Sequence, residues 1–255
     1  MRKLSLVFAA LVALLVLAAV AAWTLPADVA YAWFGKRLLP ATLADLSGDV
    51  WNGHAGSLRV LGYEIGRLDW HLAKLPLFRG DLVAEADVKG AGGTAHGRLR
   101  QNPDQTLDVS DATISLPAAT LEPALGVPAL RLRGDVDIAL AHARLRGAWL
   151  ELVEGSAIWR GAAVAGAAQA RLSDLRVDFS TLPDGRIVCT VRDLGGPLAA
   201  DGHCEFRAGA YAAQVKLAAR DGDARVLDAL QYVGQPQADG SVLLEIKGHL
   251  LQLFR

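Results

Sequence analysis

Apolar and polar positions follow two different patterns along this chain. Residues 4–25, LSLVFAALVALLVLAAVAAWTL, carry no charge over twenty-two positions, with Arg2 and Lys3 before them and Pro26 after. At ~1.5 Å of rise per helical residue such a run reaches roughly 33 Å, enough to cross a bilayer core. It is expected to be an export signal and a transmembrane anchor, with residues 1–3 cytoplasmic and the rest of the chain on the outer side of the inner membrane. The competing expectation is a cleaved signal peptide, since Ala19-Val20-Ala21 resembles a small-residue cleavage site.

Residues 27–44 are helix-prone, hold Trp33, Phe34, Lys36, Arg37, Leu38 and Leu39, and read as a juxtamembrane collar (26–45) that breaks near Pro40. From residue 46 the period changes from helical to alternating. In 80–89 Leu82, Ala84, Ala86 and Val88 take one face while Asp81, Glu85, Asp87 and Lys89 take the other, the signature of a half-buried strand. Strands are likewise predicted over 94–100, 106–115, 130–140, 148–160, 168–180, 186–192, 203–207, 211–219 and 241–247, with Asp184-Gly185 as a hairpin turn. A short helix is expected over 117–125. A second should start at Asp223, bury Val226, Leu227, Leu230 and Val233, and stop at Gly234. The fold class is therefore mainly β: one N-terminal transmembrane helix, then a β-rich periplasmic domain over 46–255 with one or two short helices.

Gly48-Asp49-Val50-Trp51-Asn52-Gly53 is echoed by Gly155-Ser156-Ala157-Ile158-Trp159-Arg160-Gly161. The echo suggests two related β lobes, 46–145 and 146–255. A strand Trp near a glycine can lay its indole where a neighbour has no side chain, so Trp51, Trp70 and Trp159 are expected to pack and not to stack on a ligand.

Setting aside Arg2 and Lys3, 24 of the 26 Lys and Arg remain against all 27 Asp and Glu, a formal −3 that gives no footing for a nucleic-acid partner. Cys189 and Cys204 are the two cysteines. In an oxidising compartment they are a candidate disulfide, because a hairpin turning at Gly195-Gly196-Pro197 would set them opposite each other. Closing a loop of that length contributes roughly 3 kcal/mol by chain entropy; two buried free thiols are the alternative. The six histidines show no metal-ligand spacing, and there is no zinc-protease helix, nucleophile elbow or phosphate loop. No catalytic residue, metal site or cofactor is therefore expected, and the chain is not expected to be an enzyme.

Several segments together resemble one family. The short basic start and single span, Leu46-Ser47-Gly48-Asp49-Val50-Trp51-Asn52-Gly53, the Trp70 strand, Asp193-Leu194-Gly195-Gly196-Pro197-Leu198 inside the cysteine hairpin, and Leu230-Gln231-Tyr232-Val233-Gly234-Gln235-Pro236 with Asp239-Gly240 are similar to the type II secretion system protein N family. The resemblance implies a bitopic inner-membrane protein, an accessory, non-catalytic scaffold or adaptor for export of folded proteins across the outer membrane. Its partners would be the inner membrane and other secretion components or exported cargo. Two other readings compete. One is a membrane-tethered β-groove protein that binds or transfers envelope lipid. The other is an outer-membrane barrel, which the missing aromatic girdles and the 223–233 helix disfavour.

Overall fold

The computed structural model describes residues 25–34, 41–60, 63–122, 129–147, 149–207 and 210–249. The expected anchor therefore lies outside the described residues except for Leu25, as do Lys36, Arg37, Leu38 and Leu39 of the collar. Among the described residues no helix is long and apolar enough to cross a membrane.

The chain is an antiparallel meander. Strands β1 (Ala41–Gly48), β2 (Asn52–Val60), β3 (Tyr63–Ala73), β4 (Leu82–Gly90), β5 (Gly93–Gln101), β6 (Thr106–Pro117), β7 (Leu130–Arg146) and β8 (Trp149–Gly166) lie side by side in chain order. β8 then pairs with β10 (Leu175–Thr181) along its middle, from Glu154 to Trp159, and with β9 (Ala170–Arg171) further on. β11 (Ile187–Asp193), β12 (Leu198–Arg207), β13 (Ala210–Ala219), β15 (Val242–His249) and the two-residue β14 (Gln235–Pro236) complete one sheet. The boundary expected between lobes, 145/146, falls at the last residue of β7, just before β8. These two are paired from Leu130↔Gly166 to Arg146↔Trp149, so the sheet passes through that point without a break.

Alternation predicts the strands well where register is regular and less well where it slips. β7 and β8 are 17 and 18 residues long, roughly 55 Å at ~3.3 Å per residue. Their register shifts three times, near Gly134, Ala141 and Leu150, so a sequence period of two read from one end fails beyond each bulge. A similar bulge on β6 sets Asp111 at φ 52° between Ser110 and Ala112. The predicted strand over 168–180 is interrupted, with β9 and β10 separated by Leu172-Ser173-Asp174.

The collar also differs from expectation. Helix α1 (Ala27–Phe34) is present, but Ala41–Ala44, read as helix-prone, belong to β1 and pair with β2. Pairing outweighs the modest intrinsic preference of alanine for helix. The C-terminal helix forms as α2 (Ala224–Leu230), capped by Asp223 Oδ1, which accepts from the amides of Arg225 (2.9 Å) and Val226 (3.1 Å). Its buried face is Val226 (0% exposed), Ala229 and Leu230, while Leu227 is 43% exposed. The expected stripe is thus rotated by Ala229 taking the inward place.

α2 sits on the apolar face of the sheet and makes the main core with Leu130, Leu132, Val136, Val164, Leu198, Ala200, Leu217 and Val242. Ala118 of a 3₁₀ turn, Ala118–Leu121, joins the same core; Glu122 continues in helical geometry, and residues 123–125 of the helix expected over 117–125 lie outside the described residues. A second, smaller cluster centres on Ala143, Val153 and Ile187, with Phe179 and Phe206 against it.

Candidate interaction surfaces

Residues paired across strands share a face, so the register sorts every candidate. One face carries Leu68, Trp70, Val88, Ile114, Val136, Phe179, Cys189, Cys204 and Val215. The other carries His54, Asp69, Asp87, His96, Asp178, Thr190, His203 and Glu245.

Cys189 and Cys204 are directly paired across β11 and β12 and form a disulfide, with their Cα atoms 4.9 Å apart. The Asp193–Leu198 segment turns the hairpin. Asp193 organises it: its carboxylate accepts from the amides of Gly195 and Ala200, both at 3.0 Å, and from the Arg220 guanidinium at 2.9 Å. Burial pushes this carboxyl up, but the hydrogen bonds from Ala200, Arg220 and Gly195 outweigh it and hold the group below its ordinary value. Arg144, bonded through Nε at 2.7 Å, likewise holds Asp108 well below the usual carboxylate range, helped by Asn102 and His142.

A carboxyl depressed in the folded state contributes stability above its unfolded pKa, and that stability is lost as pH falls through the folded pKa. Unfolding free energy should therefore be flat near neutrality and fall below about pH 4, the unfolded value. Asp193→Asn should lower stability at pH 7 by roughly 2 kcal/mol and flatten the acid slope, since amide donors then face the Asn side chain. Denaturant titrations at neutral and acid pH measure both; equal acid slopes in the two proteins would contradict the assignment.

The motif residues act as packing elements. Gly48, Asp49, Val50, Trp51 and Asn52 form the β1–β2 turn, where Asp49 Oδ1 accepts from the amides of Trp51 and Asn52. The incoming chain docks on this turn, with the Val50 amide donating to Leu25 O at 3.0 Å. Gly53 is opposite Trp70, whose indole covers it and donates Nε1–H to Val50 O at 3.0 Å. The ring on the glycine thus comes from Trp70 and not from Trp51. Gly155, inside the continuous β8, is covered by the ring of its partner Phe179. Trp159 donates to Arg133 O at 2.8 Å, and Gly161 receives the Asp174 carboxylate on its amide. The two echoed segments therefore occupy different settings, a turn and the middle of a strand.

The polar face bears a row that scattered spacing in sequence could not reveal: His54, Asp69, Asp87 and His96 lie side by side on β2 to β5. His54 Nδ1 is 2.7 Å from Asp69, and His96 Nδ1 is 2.9 Å from Asp87. Among the described residues no three His, Cys, Asp or Glu side chains are grouped to hold a metal ion. Further along, a broad concavity of about 930 Å³ is lined by Asp111, Ala139, Ser156, Arg176, Asp178 and His203. Its Asp178 accepts from both Arg176 and Arg192, so the chemistry on this wall is ion pairing.

The two long edges of the sheet differ. At β1, α1 lies alongside, and the Leu43 amide donates to Tyr31 Oη at 2.9 Å. At β15, β14 covers Val242 and Leu243. The Ser241 carbonyl accepts from Gln237, and the Leu243 carbonyl also faces the β14 side. With a period of two and an unbroken register to β13, the main-chain groups of Glu245 and Lys247 face the same way. Among the described residues no strand pairs with them there.

Comparison with known proteins relates the sequence to one family. The sequence model of the family described as type II secretion system (T2SS), protein N, matches residues 40–245. The type II secretion system protein N of Vibrio cholerae serotype O1 is 30% identical over 126 residues, 47% of this chain and 49% of that protein. The chain thus aligns with about half the length of that relative. No solved structure matches.

Proposed function

Taking as premise that the chain belongs to the type II secretion system protein N family, we propose that it is an accessory, non-catalytic scaffold of that system. In this reading residues 4–25 anchor it in the inner membrane, residues 46–255 lie in the periplasm, and the sheet joins another secretion component or exported cargo during passage of folded proteins across the outer membrane. The observation that carries the reading is the open edge of β15. An extended segment can add there through main-chain hydrogen bonds. The flanking Glu245 and Lys247 side chains discourage indiscriminate pairing and favour a strand of complementary charge.

Proline tests this mode. The Glu245 amide faces away from β13, so Glu245→Pro removes an outward donor while sparing the β13–β15 ladder. In cells lacking the native chain, Glu245→Pro should accumulate and melt nearly as wild type does, yet secretion should fall toward the empty-vector level. Glu245→Ala should keep secretion. Wild-type secretion by the proline variant would rule strand addition out.

A second reading, binding or transfer of envelope lipid, draws on the apolar face over β3 to β6, where Trp70, Val88 and Ile114 are half-buried and lie outside both buried clusters. Native mass spectrometry of the purified chain would support it by showing stoichiometric phospholipid, and would remove it by showing none.

A further inference from the structure

We propose that the β3–β4 connection, Leu75–Arg79, is an interfacial membrane contact that inserts into the outer leaflet of the bilayer spanned by residues 4–25. This rests on reading residues 4–25 as an anchor. The segment is a 3₁₀ turn with proline in its first turn, and it carries Leu75, 80% exposed, and Leu77, 39% exposed. Leu75 is the most exposed large apolar residue among those described, and Leu82, at the start of β4, adds a further exposed side chain. Leucines held out on a rigid turn gain nothing from water and mark a surface that is covered in use.

What covers them follows from where the chain enters. Leu25, the last residue of the apolar run, hydrogen-bonds through its carbonyl to Val50, and Pro26 bridges to Asp49, both in the β1–β2 turn. The next residue of that turn, Trp51, accepts the Leu72 amide at 2.7 Å. Leu75 follows three residues later, within about 11 Å along the chain. The anchor's exit and the exposed turn are thus neighbours at one end of the sheet. α1 then runs back along β1, its Tyr31 reaching Leu43, so the domain extends away from that end.

The surrounding chemistry suits an interface. Lys74 Nζ lies 5.2 Å from the centroid of the half-buried Trp51 ring. A tryptophan and a lysine side by side match the headgroup level, where the ring is amphipathic and the lysine stem can lie along apolar surface with its ammonium toward phosphate. Apolar residues at such a site penetrate roughly 5–10 Å below the headgroups. The contact would fix the domain's orientation above the membrane, so that β1 to β4 stand at the lipid and the open β15 edge is presented sideways.

The test uses the full chain in vesicles of phosphatidylethanolamine and phosphatidylglycerol. An environment-sensitive fluorophore is attached, without reductant, to Leu75→Cys, to Ala13→Cys inside the apolar run, or to Leu194→Cys, which is 53% exposed on the β11–β12 turn at the opposite end. The label at 75 should shift to shorter wavelength and lose emission more to shallow than to deep nitroxide lipids. The label at 13 should be quenched by the deep ones, and that at 194 by neither. Quenching at 13 without quenching at 75 overturns the contact and leaves the anchor standing. Quenching at neither position removes both. Equal quenching at 75 and 194 also overturns it, since the domain would then lie on lipid without a defined end.

Discussion

Replacing Gly53 with valine is expected to destabilise the domain by roughly 3 kcal/mol, combining overpacking with loss of a half-buried hydrogen bond. A Cβ at this position would lie 2.0 Å from Cζ2 of Trp70, inside the indole itself. The ring cannot yield freely, because Nε1 is bonded to Val50 O in the turn that receives the incoming chain. Its displacement would therefore loosen the β1–β2 turn and the seat of Leu25 together. Trp70→Ala alone should also destabilise, but Gly53→Val added to Trp70→Ala should cost much less than it does in the wild type. That non-additivity, read from chemical denaturation of all four proteins, is the signature of direct contact. Additive effects would mean that the clash is relieved elsewhere.

The second large effect is expected from the disulfide. Cys189→Ala with Cys204→Ala opens a loop of 15 residues in sequence separation and should cost about 3 kcal/mol. The bond joins the centres of β11 and β12, and Cys189 is buried. Unfolding of the double variant should be insensitive to reductant, while the wild type under reductant should approach the variant's midpoint. A wild-type midpoint unmoved by reductant that demonstrably opens the bond would contradict this contribution.

These two sites show what could be read in the sequence and what could not. The cysteine pairing was legible because a turn signal lay midway between two strands, and local register alone set the residues opposite. The Asp223 cap was legible for a similar reason, since the side chain and the amides it receives are within three residues. The Trp70 contact was not: the tryptophan sits seventeen positions from Gly53, and only the β2–β3 register, with its shifts between Ala55 and Arg59, brings them together. The same holds for the row of His54, Asp69, Asp87 and His96, drawn from four strands.

Where local preference and pairing disagreed, pairing prevailed. Ala41–Ala44 became strand because β2 offered a complete ladder. The two copies of the glycine and tryptophan echo differ in setting, the second lying within β8, which carries hydrogen bonds on both sides across the sheet. The family resemblance drew on a different kind of signal, the order of weak motifs, and the match over residues 40–245 bears it out.

The scaffold reading is tested most directly by site-specific photo-crosslinking in intact cells, with the photoreactive residue at Lys247 on the β15 edge and at Glu85 on the polar face as reference. The account predicts capture of another type II secretion component or of exported cargo from Lys247, lost in the Glu245→Pro background, with little capture from Glu85. Capture of lipid or lipid-transport proteins alone, or equal capture from both positions in the proline background, would contradict it.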